Sequence, residues 1–306
     1  MAASTLLAPL PYEAWEPTKT TLHLWCQIVG KVRLRYTPSR NHWWNVTLLP
    51  TARGLSTLRM RDADTFFEIE LDFIDHAARL RSNRAHAPAT FPLQDGLSVA
   101  DFYRQIVQLL AGIGVDAHIV AKPYGVPMTT PFAQDREHHA YDRVMVRRWF
   151  DALLWTANVF EEFAGSFLGK ESPAHVFWHA FDLALARYSG RAAAGPPKDD
   201  PVQQEAYSHE VIAFGFWPGD EKTPAPTYYT YTAPEPQDLT VQTLRPDAAG
   251  WYPSGSGHLG ALPYETVRTA HDPKTTLIEF LRSGYESGAR TAKWDVAALA
   301  RHFSAP

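Results

Sequence analysis

His175-Val-Phe-Trp-His-Ala-Phe-Asp-Leu-Ala-Leu-Ala-Arg-Tyr188 lies without a gap over His23-Leu-Trp-Cys-Gln-Ile-Val-Gly-Lys-Val-Arg-Leu-Arg-Tyr36, and His, Arg and Tyr coincide. In the earlier copy Cys26, Ile28, Val32, Leu34 and Tyr36 share one parity, while Gln27, Lys31, Arg33 and Arg35 share the other. That alternation predicts a strand with one dry and one polar face across Leu22 to Tyr36. In the later copy both parities are apolar or small, which places that strand centrally in a sheet covered on both sides. A helical alternative for the later stretch sets His175 and His179 one turn apart beside Asp182, a His/His/carboxylate metal face. The β-like continuation from Ala184 to Tyr188 opposes that alternative.

Working outward, Trp43 to Leu49, Phe66 to Phe73 and Ala77 to Arg81 read as further strands between turn residues. Ser98 caps a helix whose apolar positions run from Val99 to Ile113, and Val115 to Ala121 reads as a short strand. A connector from Lys122 to Phe132 leads to the longest helical stripe, Val146 to Phe167, ending near Gly169. Beyond it, Asn41-His-Trp-Trp-Asn-Val46 is set against Ser208-His-Glu-Val-Ile-Ala213, with Arg191 to Glu205 as a loop-like insertion. Strands follow at Val211 to Phe216 and Thr227 to Thr232; Leu262-Pro263 stands where Phe91-Pro92 does, and Asp272 with Pro273 opens a last helix. The fold class expected is α+β: two similar, mainly antiparallel sheet-plus-helix units, an internal duplication, joined by a long central helix. The expected division is 1–130 for the first unit and 131–306 for the central helix and second unit.

Composition narrows the function classes. With 306 residues and 45% hydrophobic content the chain buries a sizeable core, and its net charge of −4 with scattered Lys and Arg argues against nucleic acid as a partner. The start lacks a cationic leader pattern and no run of about 18 apolar residues occurs, so the expected protein is cytoplasmic and not bound to a membrane. The lone Cys26 excludes an intramolecular disulfide and a multi-cysteine zinc site. Any Zn or Fe would therefore need His and carboxylate ligands. Ten Trp, 13 Tyr and 16 Phe suit both a core and a small-molecule pocket.

The favoured constellation joins His175 and Asp182 to His209 and Glu210, with Arg187 as an anion partner. His209 and Glu210 are neighbours on a strand and point to opposite faces. Lys31 on the polar face of its segment, the stacking surface of His42 and Trp44, and Tyr207 and Trp217 complete a set of ligand contacts. Each histidine also has a plain reading as a hydrogen-bonded core residue. Gly255-Ser-Gly-His-Leu-Gly260 has dinucleotide-fingerprint spacing, but follows Pro253 rather than a strand and precedes no helix, so no nucleotide cofactor is expected.

The strings Leu22-His-Leu-Trp-Cys-Gln-Ile-Val-Gly-Lys31, Asn41-His-Trp-Trp44, Gly169-Lys-Glu-Ser-Pro173, Phe181-Asp-Leu-Ala184, Ala206-Tyr-Ser-His-Glu210 and Gly215-Phe-Trp-Pro-Gly219 resemble a bacterial family known as a domain of unknown function. The resemblance spans nearly the whole chain and implies no activity. His179 departs from the glycine expected there, which weakens any scheme needing its ring. Three readings stand: a metal-dependent or His/Glu acid–base enzyme acting on a small anionic or aromatic molecule between the halves, a non-catalytic binder using the same cleft, and a partner-binding protein with structural histidines. Oligomeric state is not legible.

Overall fold

The computed structural model describes residues 7–193 and 200–301. The first element overturns the reading of Leu22 to Tyr36 as a strand: Tyr12–Tyr36 is one long helix, α1. Every residue from Thr18 to Arg33 is buried, so α1 has no polar face and its 3.6-residue period is faint. Two stripes appear once it is wound. Leu22, Trp25, Cys26, Val29 and Val32 form one; His23, Gln27, Gly30, Lys31 and Leu34 form the other. The period-two alternation in this stretch is a coincidence of residue types along a helix covered on all sides as far as Arg33.

A 3-10 turn, Asn41–Trp43, follows in place of the strand expected from Trp43. Then come β1 (Leu49–Pro50), β2 (Gly54–Ser56), β3 (Met60–Asp62), β4 (Thr65–Asp72), β5 (Ala77–Ser82) and β6 (Ala89–Pro92). They form an antiparallel sheet in the order β1-β2-β4-β5-β6, with β3 also paired to β4. Helix α2 (Val99–Gly112) starts where expected, the Ser98 hydroxyl accepting from the Asp101 amide at 3.1 Å. The segment 115–121 is an irregular connection rather than a strand. Helix α3 (Arg143–Ala164), capped by Asp142, packs on α1 and β1 of the first unit.

The second unit is also a six-stranded antiparallel sheet with helices. Its strands are β7 (His175–Phe177), β8 (Asp182–Ala192), β9 (His209–Trp217), β10 (Thr227–Ala233), β11 (Gly250–Ser254) and β12 (Gly257–Pro263). Their order is β11-β12-β10-β9-β8-β7. Its helices are α4 (Pro201–Ala206), α5 (Tyr264–Arg268), α6 (Pro273–Thr291) and α7 (Val296–Leu299). The loop-like insertion expected over Arg191 to Glu205 falls partly outside the described residues; within them β8 runs to Ala192 and α4 begins at Pro201. The Gly255-Ser-Gly stretch is the tip of the β11–β12 hairpin. The chain is thus α+β with two units of like kind, but His23–Tyr36 and His175–Tyr188 are not equivalent segments: one is helix, the other a β-hairpin. The helical alternative for His175–Tyr188 falls with the same observation.

Three contacts bring the site together. Backbone bonds of 2.9 and 2.8 Å between Leu48 and Val176 tie the end of the first sheet to β7. One face of the second sheet packs on α3 and α6, where Gly284 and Gly288 admit Thr230 and Thr232 of β10. The second stripe of α1 lies against the β7–β8 turn. There Gly30 is needed because a Cβ would stand 2.1 Å from the Trp178 ring, and the His23 Nε2–H donates to the carbonyls of Trp178 and His179 at 3.0 and 3.2 Å. Gln27 holds the Tyr124 backbone through both its amide oxygen (2.9 Å) and its amide nitrogen (3.0 Å).

Candidate active site in the inter-unit cavity

The sheet face turned away from α3 and α6 floors a cavity of about 540 Å³. Alternation along the strands supplies its floor: Asp182, Ala184, Ala186 and Tyr188 from β8, Val211 and Ala213 from β9, Tyr229 and Tyr231 from β10. Helix α1 contributes Lys31 and Leu34, the 3-10 turn contributes His42, Trp43 and Trp44, and α4 closes one end with Val202 and Gln203. Tyr124 and the β7–β8 turn, Trp178 to Ala180, form another wall.

Lys31 is the one Lys or Arg among the described residues that line this cavity. The residue is only 8% exposed, and its Nζ lies over the faces of Trp178 at 5.3 Å and Tyr124 at 5.9 Å. No carboxylate or other hydrogen-bond acceptor pairs with it among the described residues. Burial, with Lys122 nearby, holds its pKa below the usual lysine value. Ring faces offset part of the cost of burying an ammonium, but a buried charge is ordinarily paired.

Asp182 is the anion. Tyr229 Oη donates to Asp182 Oδ2, and Oδ1 is buried with no partner among the described residues. Burial outweighs the phenol hydrogen bond and pushes the carboxyl up to about 6. The contact depends on Gly215, whose Cβ would stand 2.2 Å from the Tyr229 ring; the ring crosses β9 through that gap to reach β8. Gly215→Ala is therefore expected to swing Tyr229 away and cost about 2 kcal/mol of stability, the usual scale of overpacking. Urea unfolding checks the loss, and a spectroscopic titration of Asp182 should show its pKa moving further up. An unchanged pKa would mean that the ring does not depend on the gap.

His175 is 1% exposed. Thr47 gives its hydroxyl proton to the Trp44 carbonyl at 3.2 Å, so its oxygen accepts from the His175 Nδ1–H, also at 3.2 Å. This leaves Nε2 as an acceptor. Burial first, then Arg33, pushes the imidazole down to about 3, so it is neutral across the physiological range. At the far end, His42 and Trp43 take left-handed backbone, φ 57° and 60°. The His42 Nδ1–H donates to the carbonyls of Glu205 and Ala206 at 3.2 Å each, and Nε2 accepts from Lys170 Nζ at 2.6 Å. His42 stacks on Tyr188 with centroids 4.2 Å apart, and Tyr207 meets Tyr231 hydroxyl to hydroxyl at 3.3 Å. Two residues in αL held by α4 mark a segment whose geometry the surroundings impose.

A family model described as a family of unknown function, DUF5996, matches residues 7–301. The chain belongs to the DUF5996 family. No curated protein and no solved structure matches it.

In this DUF5996 chain the cavity gathers Lys31, His42, Trp44, His175, Asp182 and Tyr207 from the residues singled out in the sequence. Three others lie elsewhere. Arg187, on the opposite parity of β8, donates to Glu171 at 2.7 Å and to the Phe163 carbonyl at 2.6 Å beneath the sheet. Glu210 points away from His209, as strand alternation requires, and accepts from Arg191 at 2.6 Å and Ser189 at 2.9 Å. Trp217 ends β9 outside the cavity lining. His209 is also outside the lining, its ring edge-on to His42 with centroids 5.7 Å apart. Among the described residues no three His, Cys, Asp or Glu side chains are placed to share a metal ion. His175 and Asp182 are thus not joined to His209 and Glu210 as one ligand set. No helix among the described residues is long and apolar enough to cross a membrane.

Tyr229, Tyr231, Tyr124 and Lys170 escaped the sequence reading. The signal for the first two was present: in Thr227 to Thr232, Tyr229 and Tyr231 share a parity opposite to Tyr228 and Thr230. Tyr124 carries no local signal, because it is placed by Gln27 across a long sequence separation.

Proposed function

We propose that the cavity is the functional site of this protein and takes a small, flat, aromatic molecule bearing an anionic group, with Lys31 as its counter-ion. The observation that carries this reading is Lys31, a residue 8% exposed that lines the cavity with its ammonium over aromatic faces and without an anionic partner among the described residues. A ligand carboxylate supplies the missing partner, and the walls of Trp178, Tyr124, Trp44 and Tyr188 supply apolar contact. The segments 1–130 and 131–306 are read as the two walls, and the reducing cytoplasm as the compartment, in keeping with one buried thiol, Cys26.

Between catalysis and simple binding, Asp182 favours catalysis. A carboxyl raised to about 6 and hydrogen-bonded to a phenol, with the neutral His175 imidazole lining the same cavity, is equipped for proton transfer. In this reading Asp182 and His175 keep their place in the acid–base constellation, Tyr229 joins them, and His209 and Glu210 leave it.

Indole-3-propionate and its neutral amide form a matched pair of probes. Calorimetry is expected to show the acid binding wild type at least tenfold more tightly than the amide, a difference of about 1.4 kcal/mol. Lys31→Met, which keeps length and apolar bulk, should erase that preference. Equal binding of acid and amide by the wild type would remove the reading.

A further inference from the structure

Lys31 accounts for one charge in the cavity, and Asp182 is left without its complement. Its carboxyl has a neutral phenol on Oδ2, nothing on Oδ1, and no Lys, Arg or His in ion-pair distance among the described residues. The residue is 7% exposed and lines the same cavity as Lys31, yet the two do not pair. Tyr229 does not replace a cation, since its phenol shares one hydrogen bond without neutralising the carboxylate.

We infer that the bound molecule is zwitterionic, an aromatic or planar acid that also carries an amine, whose ammonium is received by Asp182 and Tyr229 while Lys31 receives its anionic group. The inference rests on the anion-binding role proposed for Lys31 and adds the second pole of the ligand. The chemistry is economical: a single molecule neutralises both isolated charges. A purely anionic ligand satisfies Lys31 but sits beside a carboxyl that repels it. A purely cationic ligand meets the reverse situation at Lys31. The remaining ionisable groups lining the cavity are His42, His175, His179 and the tyrosines. Burial resists protonation of all three histidines, so none of them supplies the missing cation. Gly215 supports the assignment, because it is the gap in β9 that lets the Tyr229 ring fix the orientation of the Asp182 carboxyl.

Two matched pairs of probes test the inference at two charge separations. Indole-3-propionate against tryptophan adds an amine beside the carboxylate; 4-methylbenzoate against 4-(aminomethyl)benzoate adds one across the ring. In at least one pair the amine is expected to tighten binding tenfold or more at pH 7.5. Asp182→Asn, and separately Tyr229→Phe, should reduce that gain to less than threefold, and Asp182→Asn, which removes the repelling carboxylate, should bind the amine-free acids at least as tightly as wild type. Lys31→Met should weaken the acids with or without the amine. Thermal melts establish that each variant is folded. If the acids bind through Lys31 but the amine adds nothing in either pair, the zwitterion assignment is overturned and the anion site survives. If Lys31→Met changes nothing, the anion site itself fails. A gain from the amine that persists in Asp182→Asn overturns the assignment of Asp182 as its receiver.

Discussion

Arg187→Ala is expected to cost about 3–5 kcal/mol of folding stability, the range for breaking one side of a buried ion pair, while leaving ligand affinity untouched. The Arg187 side chain is 2% exposed and its partner Glu171 14%. The guanidinium also bonds the Phe163 carbonyl and the Ser166 hydroxyl, and lies 3.6 Å from the centroid of the Phe163 ring. Its removal strands the Glu171 carboxylate, whose pKa burial already raises despite Arg187. A buried carboxylate without its cation takes up a proton or draws in water, and either route destabilises the fold. The double variant Arg187→Met with Glu171→Leu should recover most of the loss, since apolar isosteres remove both desolvation costs. Urea unfolding at pH 7.5 reads the stability and calorimetry with indole-3-propionate reads the site. A loss below 1 kcal/mol, or abolished binding with the fold intact, would return Arg187 to the ligand contacts where its sequence pattern first put it.

Asp182→Asn should act with the opposite sign. The Asp182 carboxyl stands at about 6 in the folded chain against an ordinary 3.8, so folding favours its protonated form. A group with a raised folded pKa lends stability that is complete below its unfolded value and is lost as pH climbs through the folded one. At pH 8 the wild type therefore carries a deficit of about 3 kcal/mol from this one carboxylate. Asparagine does not titrate and still accepts from Tyr229, so the variant should be more stable than wild type by about that amount at pH 8 and nearly equal at pH 4. Chemical denaturation at the two pH values measures the difference. A gap that stays constant with pH would mean that the carboxyl is not held in a state the fold disfavours. Stability given up at a cavity wall is the pattern expected where a site is kept for function rather than for packing.

Local chemistry made much of the fold legible. Ser98 and Asp272 announce α2 and α6 because a side-chain acceptor before an apolar stripe has one common use. Thr65–Asp72, Ala77–Ser82 and Thr227–Ala233 are strands with clear turn boundaries, and β9 falls close to where alternation puts it, whereas His175 to Tyr188, read as one strand, is the β7–β8 hairpin, and β11 carried no strand signal. Helix α1 was not legible by the same means. Its two stripes both face protein, so the contrast that marks a helix surface is absent, and a chance alternation filled the gap. The error matters for the site: His23, Gln27, Gly30 and Lys31 look scattered over two strand faces, yet they follow one another at helical spacing and together hold the β7–β8 turn, Tyr124 and the cavity cation. Lys31 was singled out as an anion contact from a wrong secondary structure; the helix carries it to the same cavity as Asp182 and His175. Parity along β8 decides the rest, since Asp182 and Tyr188 face the cavity and Arg187 the core. That the aspartate lacks a cation while the arginine has its carboxylate depends on tertiary packing, which no local pattern records.

A crystal structure of the protein with indole-3-propionate tests the central claim most directly. The carboxylate is predicted to lie within hydrogen-bonding distance of Lys31 Nζ, with the indole against Trp178 or Tyr124. Electron density for the acid at a different place, such as the surface hollow lined by Arg245, Arg282 and Arg290, with Lys31 turned toward a protein carboxylate, would contradict it.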